Sequence, residues 1–440
     1  MMPLSRLPVA VLGGLLFLSL AACSDPASVG STLGPDSLSG GDPEIRNVVP
    51  TTLDTSRTPP LTGFREAASL PGQPGGQQRS WRMLTGEVDD PIGGVLDAEG
   101  YIDFRGTASR PSGISDAPVD SLNAELRLTR TYLHGDTTST LEVQLFDLAG
   151  PADMGRAPAD TSFATEAAPI RAGAYTVSPT DTLVTLPLPS SWIEKHQTAL
   201  QDSTSFPDGR FDGFRLTTTA GNAVVGFEHG SATLRLTTSS DTVDFESEQT
   251  FTHIERSQVP PSGSDRRLLQ AGVGVGLEMD WAGGRIDSLA DANTLLNRVE
   301  ISVPVDTTLL APTDPDFVRP LPTGYRILAS RTEGALSCRQ LNLFAVNASG
   351  SRCVFPTVPA WVPGEARVNS DRAFPTFDQW FTQEAPLTRF RAEVVGRAST
   401  SLNAQETARR GLPSTVPVLV KTEAADPDAL PRAILTVTPL

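Results

Sequence analysis

The stretch LNAELRL, Leu122 to Leu128, decides the fold class. Leu122, Ala124, Leu126 and Leu128 fall on one side of an extended chain and Asn123, Glu125 and Arg127 on the other, because successive side chains of a strand point to opposite faces. The segment therefore reads as an antiparallel strand with one buried and one wet face. Outward from it the same beat returns in LEVQL, where Leu141, Val143 and Leu145 alternate with Glu142 and Gln144, and in ATLRL at Ala232 to Leu236. It returns again in RVEISVPVD, where Val299, Ile301, Val303 and Val305 share a face, in VPVLV at Val416 to Val420, and in AILTV at Ala433 to Val437. Runs of this kind separated by Gly, Pro, Asn and Asp turns predict an all-β chain of antiparallel β-sandwiches.

Helical periodicity is scarce. SSWIEKHQTAL predicts one helix, with Ser191 as N-cap and Glu194 completing a capping box, and residues 287–296 predict a second short one. The first half of the chain enters its core with NAELRL and closes with GSATLRLTT; the second enters with NRVEISV and closes with LPRAILTVTPL. This echo predicts two domains of similar build, 44–256 and 265–440, joined by a Pro- and Ser-rich linker over 257–264.

The amino terminus, residues 1–22, reads as a signal peptide: Arg6 precedes an apolar run from Val9 to Leu20 that is too short to span a bilayer. Leu20-Ala21-Ala22 then leads straight into Cys23. This resembles the bacterial lipobox, and the resemblance implies that Cys23 becomes the first mature residue, with a diacylglycerol on sulfur and an acyl chain such as palmitate on its amine. Each buried methylene contributes about 0.8 kcal/mol, so two or three chains hold stably where one holds marginally. Residues 23–43, rich in Ser, Gly, Pro and Asp, read as a flexible tether.

The net charge is −16, with 51 acidic against 35 basic residues, and Lys195 and Lys421 are the only lysines. A phosphate-binding surface needs the opposite sign, which argues against nucleic acid as a partner. Setting Cys23 aside leaves Cys338 and Cys353. Outside the cytoplasm such a pair reads most simply as a disulfide. A two-cysteine metal site would need nearby histidines, and His134, His196, His229 and His253 are all distant in sequence.

With these landmarks placed, the chain resembles domain-of-unknown-function family 4270, a family of Gram-negative bacterial lipoproteins. The resemblance rests on VGSTLGPD after Cys23, LTGEVDDPIGG at Leu84 to Gly94, VDSLNAELRL with LHGDTTSTLEVQLFDL, FDGFRLTT at Phe211 to Thr218, LLQAGVGVGLEMDW at Leu268 to Trp281 and LLNRVEISVPVD at Leu295 to Asp306. It implies an exported, membrane-anchored protein whose sandwich domains are similar to carbohydrate-binding jelly rolls, and it carries over no catalytic residues.

Four groups of residues invite a chemical reading. Gly272, Gly274 and Gly276 lack GxGxxG spacing, and Val273, Val275, Leu277, Met279 and Trp281 alternate with them, so AGVGVGLEMDW reads as a closely packed strand. Glu87, Asp89, Asp90, Asp97, Glu99 and Asp103 gather around glycines as a loop calcium site could, but without EF-hand spacing; turn carboxylates are the commoner explanation, so no cofactor is expected, with a structural calcium as the minor alternative. No GxSxG motif or cysteine beside a base is present, and His229 and its neighbours in EHGS would point to opposite faces of a strand. Among the tryptophans, Trp192 and Trp281 read as core, whereas Trp361 in PAWVPG and Trp380 in FDQWF lie near turns and are the ligand-binding candidates.

The expected function is that of a membrane-anchored lipoprotein at the outer membrane or cell surface, with a non-catalytic binding or structural role toward an extracellular glycan or a surface protein. The alternative is a glycan-processing enzyme or its carbohydrate-binding accessory, whose paired carboxylates would be hidden among the many acids.

Overall fold

The computed structural model describes residues 42–57, 82–106, 110–154, 161–202 and 211–257. In the C-terminal half it describes 265–270, 275–281, 294–304, 306, 314–320, 324–330, 344–345, 352–354, 361–362, 365–369, 389–395 and 414–439. The chain begins with β1 (Glu44–Val48), β2 (Thr52–Arg57), β3 (Arg82–Asp90), β4 (Gly94–Phe104), β5 (Asn123–Asp136) and β6 (Leu141–Asp147). There follow β7 (Tyr175–Val177), β8 (Leu183–Leu188), β9 (Phe214–Ala220), β10 (Ala223–Glu228), β11 (Thr233–Thr237) and β12 (Thr242–Arg256). The C-terminal half supplies β13 (Arg266–Gln270), β14 (Val275–Asp280), β15 (Thr294–Pro304), β16 (Phe317–Val318), β17 (Gly324–Ser330) and β18 (Phe344–Ala345). The last are β19 (Arg352–Val354), β20 (Trp361–Val362), β21 (Glu365–Asn369), β22 (Arg389–Val395), β23 (Pro417–Lys421) and β24 (Arg432–Pro439). Every strand pairing among them is antiparallel, and the chain is an all-β sandwich protein, as its alternation predicts.

Two long strands organise the first half. The N-terminal part of β5 pairs with β8 and β11, and its C-terminal part pairs with β10. The start of β12 pairs with β11, and its remainder with β4. Both strands therefore serve both layers, and the pairing order β12–β11–β5–β10–β3–β4 returns to β12. These six strands thus close into a ring, while β7, at the end of the β9–β6–β7 branch from β4, and β8, paired with β5, lie at sheet edges among the described strands. At Gly86, φ is +130°, and a Cβ would lie 2.1 Å from the carbonyl oxygen of Ala223 on β10. Only glycine lets the two backbones approach so closely.

The core follows the period-two pattern. Leu122, Ala124, Leu126 and Leu128, with Leu141, Val143 and Leu145 and with Ala232, Leu234 and Leu236, are buried in one cluster with Phe104, Phe214 and Phe245. In the second half Val275, Leu277, Met279 and Trp281 are buried, as are Ala433, Leu435 and Val437. Val303 is buried on β15, and Val305 lies outside the described residues. Val416, Val418, Leu419 and Val420 are buried on both faces of their strand rather than one. Of the glycine-rich stretch, residues 275–280 form a strand, β14, held between β2 and β22, and 271–274 lie outside the described residues.

Local details depart from expectation. The predicted helix forms over Ser190–Gln201, but Pro189 is its N-cap and no side chain caps it; the Pro189 carbonyl accepts the first backbone bonds from Trp192 and Ile193. Ser191 thus sits inside the first turn, where its hydroxyl cannot make the capping box. Of the second predicted helix, residues 294–296 begin β15 instead, and 287–293 lie outside the described residues. The sheets also cross the expected division at 257–264. β1 pairs with β24 and β2 with β14, so the earliest described strands belong to sheets of the C-terminal half, while β16 pairs with β5 of the ring.

Candidate functional site

Across β3, β4 and β12 the register places Glu87 opposite Asp97 and Asp97 opposite Glu255. One step along the same face of β4, Glu99 stands opposite His253, and beyond it Tyr101 stands between Arg215 on β9 and Phe251 on β12. Opposed residues of antiparallel strands have Cβ atoms about 5 Å apart. Three carboxylates are therefore stacked side by side, with a mixed polar group directly next to them.

The pair Asp97 and Glu99 is electrostatically split. Burial, and then the charges of Glu99, Glu87 and Glu255, push the Asp97 carboxyl up to about 6. Glu99 is drawn the other way, chiefly by His253, against the effect of burial and with help from Tyr101 and Arg215. The Tyr101 hydroxyl donates to Glu99 Oε2 at 2.8 Å, and Arg215 Nη1 lies 3.7 Å from Glu99 Oε1. His253 bridges the row, with Nδ1 3.9 Å from Glu99 and Nε2 3.6 Å from Glu255. At these lengths it acts as a charge neighbour rather than a direct hydrogen-bond donor. Tyr101, Phe163 and Phe251 then pack edge to face under Leu148 and Met154 and close one side of the group. The arrangement offers one carboxyl that keeps its proton close to neutrality beside one that does not, a pairing of the kind acid–base chemistry uses.

Asp90, at the end of β3, has the opposite surroundings. It is 1 % exposed, and it accepts the backbone N–H groups of Ile92 and Gly93 at 2.7 Å each, Arg319 Nε at 2.8 Å and His134 Nε2 at 2.8 Å. Burial would raise this carboxyl, but the His134 and Arg319 hydrogen bonds outweigh it and hold the group well below the usual carboxylate range. On the far side of the ring, His134 Nδ1 lies 2.7 Å from Thr415 Oγ1, and the Tyr132 hydroxyl is 3.0 Å from the same atom. A carboxylate, an imidazole and a hydroxyl thus stand in line, as in a nucleophile relay. His134 and Thr415 are both 0 % exposed, so that hydroxyl cannot meet a substrate.

A third carboxylate, Asp147, anchors the helix. It accepts from Trp192 Nε1, Lys195 Nζ and His196 Nε2 at 2.8, 2.7 and 2.9 Å, and Lys195 also reaches Glu166. His229 is buried in a one-turn helix rather than on a strand, with Nδ1 2.9 Å from Ser247 Oγ.

Most of the candidates from sequence fall outside the described residues. Cys23, Cys338 and Trp380 lie outside the described residues. Cys353 is in β19, opposite Ala329 and Ala345, and Trp361 opens β20, opposite Ala366. Trp192 and Trp281 are core residues, as expected. The acids of the calcium reading separate: Asp90 turns inward to its ion pairs, Glu87 and Asp97 face outward, and Asp103 accepts the backbone N–H of Gln249. Among the described residues no group of three or more His, Cys, Asp or Glu side chains is arranged to hold a metal ion. Sequence reading missed His134, Thr415, Arg319 and His253. The available signal was an Asp and a His placed within apolar alternations, where a charge must find partners to be buried. No family model matches the chain, and no curated protein matches it.

Proposed function

We propose that the protein is a membrane-anchored lipoprotein of the cell envelope, at the outer membrane or cell surface, with a non-catalytic binding or structural role. Acyl chains on Cys23 hold it to the membrane, residues 23–43 space it off, and the sandwich meets an extracellular glycan or a surface protein. The resemblance to family 4270 supports the same reading through its quoted segments alone. No helix among the described residues is long and apolar enough to cross a membrane. The observation that carries the non-catalytic reading is the burial of the Asp90–His134–Thr415 line, a relay geometry spent on packing. Detergent-phase partitioning tests the anchor: the native protein enters the detergent phase with an acylated N-terminal peptide beginning at Cys23, and Cys23→Ser stays in the aqueous phase. Recovery of native protein from the aqueous phase still bearing Met1 would refute it.

One observation favours a second reading, a glycan-processing enzyme or its carbohydrate-binding accessory: the split pair Asp97 and Glu99 on a partly open face. Release of reducing ends from polysaccharide by the wild type but not by Asp97→Asn would favour it over the first.

A further inference from the structure

Segments far apart in sequence meet at one imidazole. His134 belongs to β5 of the ring, Asp90 to β3, Arg319 follows β16, and Thr415 precedes β23. Gln270 on β13 donates to the Thr415 carbonyl at 2.7 Å and ties a further strand of the C-terminal half to the same point. We propose that this network is an acid-sensitive latch: it holds residues 317–319 and 414–416 against the ring while His134 is neutral, and releases them when His134 takes up a proton.

The hydrogen-bond directions fix the neutral form. Ionised Asp90 can only accept, so His134 Nε2 carries the proton and donates to it. Nδ1 then accepts from the Thr415 hydroxyl, whose oxygen accepts from the Tyr132 hydroxyl, and the Tyr132 oxygen accepts the Thr415 backbone N–H at 3.1 Å. Each donated proton is used once, and the directions are mutually consistent. A second proton on the ring would reverse the bond, with Nδ1–H donating to Thr415 Oγ1, so the Thr415 hydroxyl proton must leave Nδ1 and the Tyr132–Thr415 bond must change direction with it.

Charge points the same way. The groups facing His134 are Asp90 and Arg319, of opposite sign; Tyr132 and Thr415, neutral; the edge-on Phe317 ring, 5.8 Å away; and Val224, opposite it on β10. Farther out, Arg82 lies over the Tyr132 ring with Glu228 nearby. Protonation therefore adds a positive charge beside Arg319 in a site closed to water, where burial already keeps the imidazole below its ordinary value despite the pull of Asp90. Because the folded-state value lies below the unfolded one, stability is full above about pH 6.5 and is lost progressively as pH falls from there to the folded-state value. The cost falls on the attached segments rather than on the ring, which keeps its own apolar cluster.

Hydrogen exchange on the full chain, read by mass spectrometry and corrected for the intrinsic pH dependence, tests this. Between about pH 7.5 and about pH 5, residues 314–320 and 414–420 should lose at least about tenfold in protection, while β6 and β11 keep theirs. His134→Gln, which cannot titrate, should abolish that pH step. Unchanged protection in the wild type, or the same step in His134→Gln, would overturn the proposal. Should that variant fail to fold, histidine Cε1 NMR titration of the wild type decides: one imidazole must stay neutral to well below the ordinary value. Ordinary titration of all four would refute the latch.

Discussion

Asp90 and Asp97 stand on the two arms of one hairpin, the first buried and the second half-buried, and their carboxyls are driven in opposite directions. Asp90 meets a guanidinium, an imidazole and two backbone N–H groups and stays ionised. Asp97 is pushed toward its protonated form first by burial and then by Glu99, Glu87 and Glu255. Burial pushes both carboxyls up; at Asp90 the partners outweigh it, and at Asp97 the neighbouring charges add to it. The first site joins distant segments, and the second leaves two carboxyls of opposite shift facing outward.

The largest effect should come from breaking the first site. Asp90→Asn leaves Arg319 buried without its carboxylate and should cost about 3–5 kcal/mol in denaturant-induced unfolding. A loss under about 1 kcal/mol would mean that Arg319 finds water instead.

Asp97→Asn should act in the other direction. Its folded-state value is raised, so its contribution is fully present below the unfolded value near 3.8 and is lost as pH rises through about 6. Discounted for partial exposure, the variant should be about 1 kcal/mol more stable than wild type at about pH 7 and equal to it at about pH 4. Destabilisation at the higher pH would show that the charged carboxylate has a favourable partner there.

Glu87→Gln removes one member of the stacked row and should do less, about 0.3 kcal/mol of stabilisation at about pH 7 together with a lower midpoint for Asp97. An unmoved Asp97 midpoint would show that burial alone sets it.

The fold class was legible because alternation is local: Leu122 to Leu128, Leu141 to Leu145 and Ala232 to Leu236 announce their buried face within a few residues. Closure of the ring was not legible, since it depends on β5 and β12 each changing partner midway, and pairing partners are not written in a strand's own sequence. The same holds for β1 and β2, whose partners β24 and β14 lie in the other half of the chain. The site was legible only as a crowd of acids. Glu87 through Asp103 look alike in sequence, and what separates Asp90 from Asp97 is supplied by Arg319, 229 residues on from Asp90, and by Thr415, 281 residues on from His134.

Carboxyl-carbon NMR titration of the two aspartates measures the contrast directly. Asp90 should remain ionised to below about pH 3 while Asp97 titrates with a midpoint of about 6. Two ordinary and coincident curves near pH ~4 would contradict it.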